Sequence, residues 1–127
     1  MMDRTTLITA GAVNAAIAVA AGAFAAHALR GHLEPPMLEA FDTGARYQMY
    51  HALAMILTGA LVSGIPGAAR AGLLFQLGIV LFSGSLYALA GTDVHALGYI
   101  TPFGGVAFLV GWVWLAATSW AASRSRT

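Results

Sequence analysis

Apolar residues gather along this chain into four runs, 7–29, 47–65, 71–90 and 102–120, separated by short polar or turn-rich segments. None of the runs contains Asp, Glu, Lys or Arg. At 1.5 Å rise per residue the first run reaches about 34 Å as a helix, enough to cross a hydrocarbon core of about 30 Å. The pattern predicts an all-α integral membrane protein, an up-down four-helix bundle forming one domain over residues 1–127.

The breaks between runs carry turn chemistry: Pro35-Pro36, then Ile65-Pro66-Gly67, then Gly91-Thr92-Asp93. In the longest connection Leu38, Phe41, Ala45 and Met49 recur at helical spacing, while Glu39, Asp42 and Arg46 point elsewhere. That spacing predicts a short amphipathic helix lying at the membrane interface between spans 1 and 2. Thr101-Pro102 reads as an N-cap followed by the first helical residue. An alternative start near Ala96 leaves Pro102 inside the helix as a kink, which membrane helices accommodate. Arg4, the first run and Ala23-Phe24-Ala25 resemble a signal peptide, but the apolar stretch exceeds a usual signal core, so it is read as a retained span.

Composition sharpens this picture. Hydrophobic residues make up 59% of the chain and charged residues 9%, against roughly 25% charged in an ordinary soluble domain. A chain of this length has too few interior sites for so much apolar surface, and the surplus must meet lipid. A net charge of +1, carried by arginines without lysine, offers no basic stripe for a nucleic-acid backbone, so no nucleic-acid partner is expected. The absence of cysteine excludes disulfides, thiolate metal sites and thiol nucleophiles.

Four spans put Arg4, Arg70, Arg124 and Arg126 on one side, and Arg30, Arg46, Glu34, Glu39, Asp42 and Asp93 on the other. The excess of arginine on the first side predicts that both termini are cytoplasmic. Tyr47, Tyr50, Tyr87 and Tyr99 then fall near the outer helix ends and Trp120 near the inner end, as interfacial aromatics do.

Without formal charge inside the spans, a proton-driven pump is disfavoured. The polar residues there are Asn14, Gln48, His51, Thr58, Gln76, Ser83, Ser85 and Thr101. Gln48, His51, Met55 and Thr58 share one helical stripe, and Gly72, Gln76, Ser83 and Tyr87 share another. Two readings fit such stripes: interhelical hydrogen bonds, worth about 0.6–2 kcal/mol each, or a buried pocket or narrow polar path. Small residues four apart, Gly11/Ala15, Gly22/Ala26, Gly59/Ser63 and Gly84/Ala88, predict close helix packing within the chain or between copies.

His27, His32, His51 and His95 all map to the outer side. A metal site there, or a haem held by His27 and His51 from neighbouring helices, is an alternative reading, although no H-E-x-x-H spacing links the histidines. No Gly-rich phosphate loop and no Ser-His-Asp set is legible, so neither an enzyme nor a bound cofactor is expected.

Particular strings carry a resemblance. Gly22-Ala23-Phe24-Ala25-Ala26-His27-Ala28-Leu29 is followed by Arg46-Tyr47-Gln48-Met49-Tyr50-His51-Ala52-Leu53. Then come Phe82-Ser83-Gly84-Ser85-Leu86-Tyr87, Thr101-Pro102-Phe103-Gly104-Gly105 and Gly111-Trp112. In this order the chain resembles the YgdD-like family, small inner-membrane proteins grouped as a domain of unknown function. The resemblance spans nearly the whole chain and implies four transmembrane helices in a bacterial inner (plasma) membrane, with no activity to carry over.

The motif residues His27, Tyr47, Gln48, His51, Ser83, Ser85, Tyr87 and Thr101 all fall in the outer half of the expected bundle. They are expected to form one hydrogen-bonded cluster, with the free N–H groups of Phe103, Gly104 and Gly105 attracting an acceptor or an anionic headgroup. Such a cluster serves either to lock the helices together or to hold a ligand. The leading expectation is a non-enzymatic structural or lipid-binding membrane protein, with membrane lipids and other copies of itself as partners. A small oligomeric transporter or channel is the second reading, and haem or metal binding the third.

Overall fold

The computed structural model describes residues 2–127, which are helical without any strand. Helix α1 (Arg4–His27) starts at Asp3, whose carboxylate accepts the Thr6 N–H at 2.8 Å. That bond satisfies one of the free donors of the first turn, and it holds the Asp3 carboxyl below its ordinary pKa of 3.8. The chain turns at Gly31, whose φ of 86° is a left-handed conformation that favours glycine. Helix α2 (Pro35–Leu61) then opens on two prolines, at positions where a missing N–H leaves no bond unmade.

After a second turn the chain forms α3 (Ala68–Gly78), a π-helical turn over Ile79–Ser83, and α4 (Gly84–Thr92), which together make one rod. Asp93, in left-handed conformation at φ 57°, ends it. A 3₁₀ turn, His95–Tyr99, leads into α5 (Thr101–Arg124).

Among the described residues, three helices are long and apolar enough to cross a membrane: Arg4–His27, Ala68–Thr92 and His95–Arg124. The second expected span, within α2, does not reach that standard. Its polar residues explain why: α2 ends at Leu61, so a stretch of span length takes in Arg46 together with Gln48 and His51. Arg46 is exposed, whereas Gln48, His51 and Thr58 are buried against neighbouring helices. On its outer face α2 exposes Tyr47, Tyr50, Leu53 and Leu57.

Two local expectations are corrected. The separate amphipathic helix does not form; its residues are the first turns of α2, because nothing between Pro36 and Leu61 breaks the helix. Its apolar face turns onto protein: Ala45 is buried, and the Phe41 ring lies 4.8 Å from that of Tyr87 and 6.2 Å from that of Phe24. Thr101 is the first residue of α5 rather than its cap, the cap position belonging to Ile100. Freed from capping, the Thr101 hydroxyl pairs with that of Ser85 at 2.5 Å.

Packing follows the small residues. α1 lies along α2, where a side chain at Gly11 would meet the Ala52 carbonyl at 2.8 Å and one at Gly59 would meet the Arg4 carbonyl at 3.1 Å. α5 lies along the third rod, with Gly104 set against the backbone of Leu81 and Phe82 in the π-helical turn. Met55, Phe75, Ile79, Phe108 and Leu115 fill the space between these pairs. At one end of the molecule Trp114 donates to the Gly67 carbonyl at 3.0 Å and Arg126 to that of Gly64 at 3.2 Å.

Candidate functional site

At the middle of the helices a polar network replaces the apolar core. The Asn14 amide nitrogen donates to Gln76 Oε1 at 2.9 Å and to the Ala10 carbonyl at 2.9 Å. Gln48 donates to Asn14 Oδ1 at 3.1 Å, and the Tyr87 hydroxyl donates to Gln48 Oε1 at 2.7 Å. One chain of bonds thus joins α1, α2 and both halves of the third rod. Among the described residues no buried side-chain nitrogen or oxygen lacks a partner. In hydrocarbon an unmade bond has no water to replace it, so closure of this network is what allows these side chains inside the core.

A second cluster surrounds His51, which is buried at 4% exposure. Its Nδ1 lies 2.7 Å from the Tyr47 carbonyl, and its Nε2 accepts the Trp112 indole N–H at 3.1 Å. This geometry puts the proton on Nδ1 and leaves the ring neutral. The imidazole stacks on Phe108, with ring centres 3.5 Å apart and planes 7° from parallel. Phe75 and Trp112 close the box, their centres 5.5 and 5.9 Å from the imidazole.

Beside this box, between α2 and α5, a groove of about 600 Å³ opens to the outside of the molecule. Phe82, Val106, Phe108 and Leu109 give it an apolar lining, and Tyr47 and Tyr50 stand at its side. A second groove of about 720 Å³ lies between the end of α1 and the start of α2.

The eight motif residues do not join into one cluster. Gln48 and Tyr87 belong to the Asn14 network, whereas His51 and the Tyr47 backbone belong to the aromatic box. Ser85 and Thr101 pair separately, and Ser83 donates to the Gly44 carbonyl at 2.7 Å. His27 lies exposed at the end of α1. The α5 start offers no free donor at Phe103, whose N–H bonds the Ile100 carbonyl at 3.1 Å, and Gly104 is buried against Phe82. Both ring nitrogens of His51 are engaged, so it has no lone pair free for a haem iron. Among the described residues no three His, Asp or Glu side chains gather as a metal would require.

Asn14, Gln76 and Trp112 complete these networks although the expected cluster of eight residues left them out. Asn14 carried a signal: it is a lone amide in an otherwise apolar helix, and such a group must find a partner. Trp112 stands in the Gly111-Trp112 string, but its role as a donor becomes legible only once α2 and α5 are set side by side.

The family model described as "Protein of unknown function (DUF423)" matches residues 21–105, which take in α2, the third rod and the start of α5. The UPF0382 membrane protein YwdK of Bacillus subtilis (strain 168) is 49% identical over 109 residues, covering 84% of this chain and 89% of the relative. A UPF0382 membrane protein of Staphylococcus epidermidis is 47% identical over 108 residues, covering 84% and 88%. One from Haemophilus influenzae is 43% identical over 110 residues, covering 86% and 89%. No solved structure matches the chain. None of these names states an activity or a ligand, and none carries the YgdD-like designation. Apolar helices closed around an internal polar network, together with matches that extend over most of the chain, lead to one assignment: this chain belongs to the DUF423, or UPF0382, family of membrane proteins.

Proposed function

We propose that this is a non-enzymatic protein of the bacterial inner membrane that crosses the bilayer four times and holds the acyl chain of a membrane lipid in the groove between α2 and α5. The groove itself carries the proposal. It is open to the outside of the molecule and lined by Phe82, Val106, Phe108, Leu109 and Trp112, a surface suited to hydrocarbon.

The fourth crossing rests on where α2 lies. It packs against α1 where Gly11 faces Ala52 and Ile56 and where its own Gly59 faces Arg4 and Ile8, and against the third rod through Gly44, where a side chain would meet Tyr87 at 3.0 Å. A helix clasped between two spans shares their depth in the bilayer. Its inward polar face and outward Leu53 and Leu57 match that position. With both termini on the side richer in arginine, that side is the cytoplasm.

A channel needs polar groups free to face water. Here Gln76 and Tyr87 are bonded to Asn14 and Gln48, and Ser83 to Gly44, which favours a static role for the network.

The test is photolabelling in nanodiscs with a phospholipid bearing a diazirine in its acyl chain. Adducts should concentrate on the peptides carrying Tyr47, Phe82 and Leu109, and should fall at least fivefold in a Gly105→Phe variant whose side chain fills the groove. Labelling there no denser than on the bare α1 face at Val13 and Val19 would refute the proposal.

A further inference from the structure

The groove between the end of α1 and the start of α2 differs from the acyl groove in its charges. Ala25 and Leu38 contribute apolar lining, and Arg30, Glu39, Asp42 and Arg46 line it as well. Two guanidinium groups and two carboxylates make its net charge zero. They are not paired off evenly. Asp42 and Arg46 close on each other at 2.7 Å, one helical turn apart, whereas Arg30 and Glu39 form no ion pair among the described residues. The groove therefore presents one cation and one anion that remain open to a ligand, next to apolar surface.

Its position gives those charges a context. α1 ends at His27 and α2 begins at Pro35, so the groove lies at the helix ends, where spans meet the headgroup layer. A guanidinium offers two parallel N–H donors to phosphate oxygens. A carboxylate accepts N–H bonds from a primary ammonium.

We propose that this groove seats the headgroup of a zwitterionic aminophospholipid, with its phosphate on Arg30 and its primary ammonium on Glu39. The proposal rests on the membrane placement argued above and is independent of the acyl groove. The charge arrangement also sets the selectivity. A phosphocholine headgroup keeps the phosphate contact but has no N–H to give Glu39. A phosphoglycerol headgroup has no cation and brings its phosphate beside the Glu39 carboxylate. A phosphoethanolamine headgroup satisfies both groups.

Native mass spectrometry of the full chain, released from detergent after incubation with phosphatidylethanolamine, phosphatidylcholine and phosphatidylglycerol of identical acyl chains, tests this. The wild type should retain phosphatidylethanolamine at least tenfold over the other two. Arg30→Gln should reduce retention of all three, and Glu39→Gln should abolish discrimination against phosphatidylglycerol while keeping total retention. Gly105→Phe should leave the preference unchanged, so that failure of the acyl groove and failure of this site read out separately. Equal retention of the three lipids by the wild type, a preference for phosphatidylglycerol, or a preference that survives both charge variants would each overturn the proposal. Both residues are exposed, and matching melting temperatures establish that the variants are folded.

Discussion

The indole N–H of Trp112 donates to Nε2 of His51 across 3.1 Å, tying the exposed face of α5 to the most enclosed ring of α2. Trp112 is 42% exposed and His51 4%. One side chain therefore both lines the groove between α2 and α5 and satisfies the acceptor behind it. Trp112→Phe keeps most of the ring and removes the donor, leaving Nε2 buried without a partner. An orphaned buried acceptor costs about 1–3 kcal/mol. A lower melting temperature in detergent is expected, with a smaller drop when His51→Phe is added, since the double variant has no acceptor left to satisfy.

Asn14 bridges Gln48 and Gln76, so Asn14→Leu strands a donor and an acceptor on two different helices. Tyr87→Phe deletes a single bond at the end of the same network. Interhelical hydrogen bonds in a membrane average about 0.6 kcal/mol and reach about 1.7, which sets the scale for Tyr87→Phe. Asn14→Leu should destabilise more, by about 1–3 kcal/mol, because the stranded groups lie where water cannot reach. Reversible unfolding in mixed micelles measures both. Equal effects would show that the network has no hub.

Gly104 and Gly22 should respond oppositely to alanine. A methyl at Gly104 runs into the backbone of Phe82, which cannot rotate away, whereas nothing lies within 4 Å of the corresponding position at Gly22. Overpacking of this kind costs about 1–3 kcal/mol. Gly104→Ala should lose yield and thermal stability, and Gly22→Ala should match the wild type or exceed it, since alanine is the better helix former.

The N-cap of α1 predicts a pH dependence. The Asp3 carboxyl sits below 3.8 because it accepts the Thr6 N–H. A depressed acid stabilises the fold fully above its unfolded pKa and loses that contribution as pH falls through the lower folded value. Amide exchange at Thr5 and Thr6 should therefore stay protected at neutral pH relative to Asp3→Ala, and the two proteins should converge only as pH falls through the lowered folded value.

Helical class and the strongest spans were legible in the sequence because long charge-free runs leave few alternatives. α2 was harder to read. Gln48 and His51, which with the exposed Arg46 lower its average hydropathy, are residues it buries, and averages ignore which face a residue occupies. Spacing did identify that face, for Gln48, His51, Met55 and Thr58 all lie inside. The small-residue pairs were legible in part. Gly11 and Gly59 mark a true close crossing, whereas Gly22 and Gly84 meet no other helix within 4 Å. Gly78 and Gly104, which admit Phe108 and Phe82, gave no pairwise signal because their partners lie on another helix. The π-helical turn was equally hidden, and Ser83 at its end donates to the Gly44 carbonyl instead of joining Gln76 and Tyr87.

A four-span architecture requires α2 to cross the bilayer. The chain has no cysteine, so His32→Cys, Ser63→Cys, His95→Cys and Ser125→Cys can each be labelled alone, all at exposed positions in connections or the C-terminal segment. In intact cells an impermeant maleimide should modify the cysteines at 32 and 95, and should reach those at 63 and 125 only after the membrane is opened. Labelling of 32 and 63 from the same side would mean that α2 does not cross, and would contradict the four-span architecture.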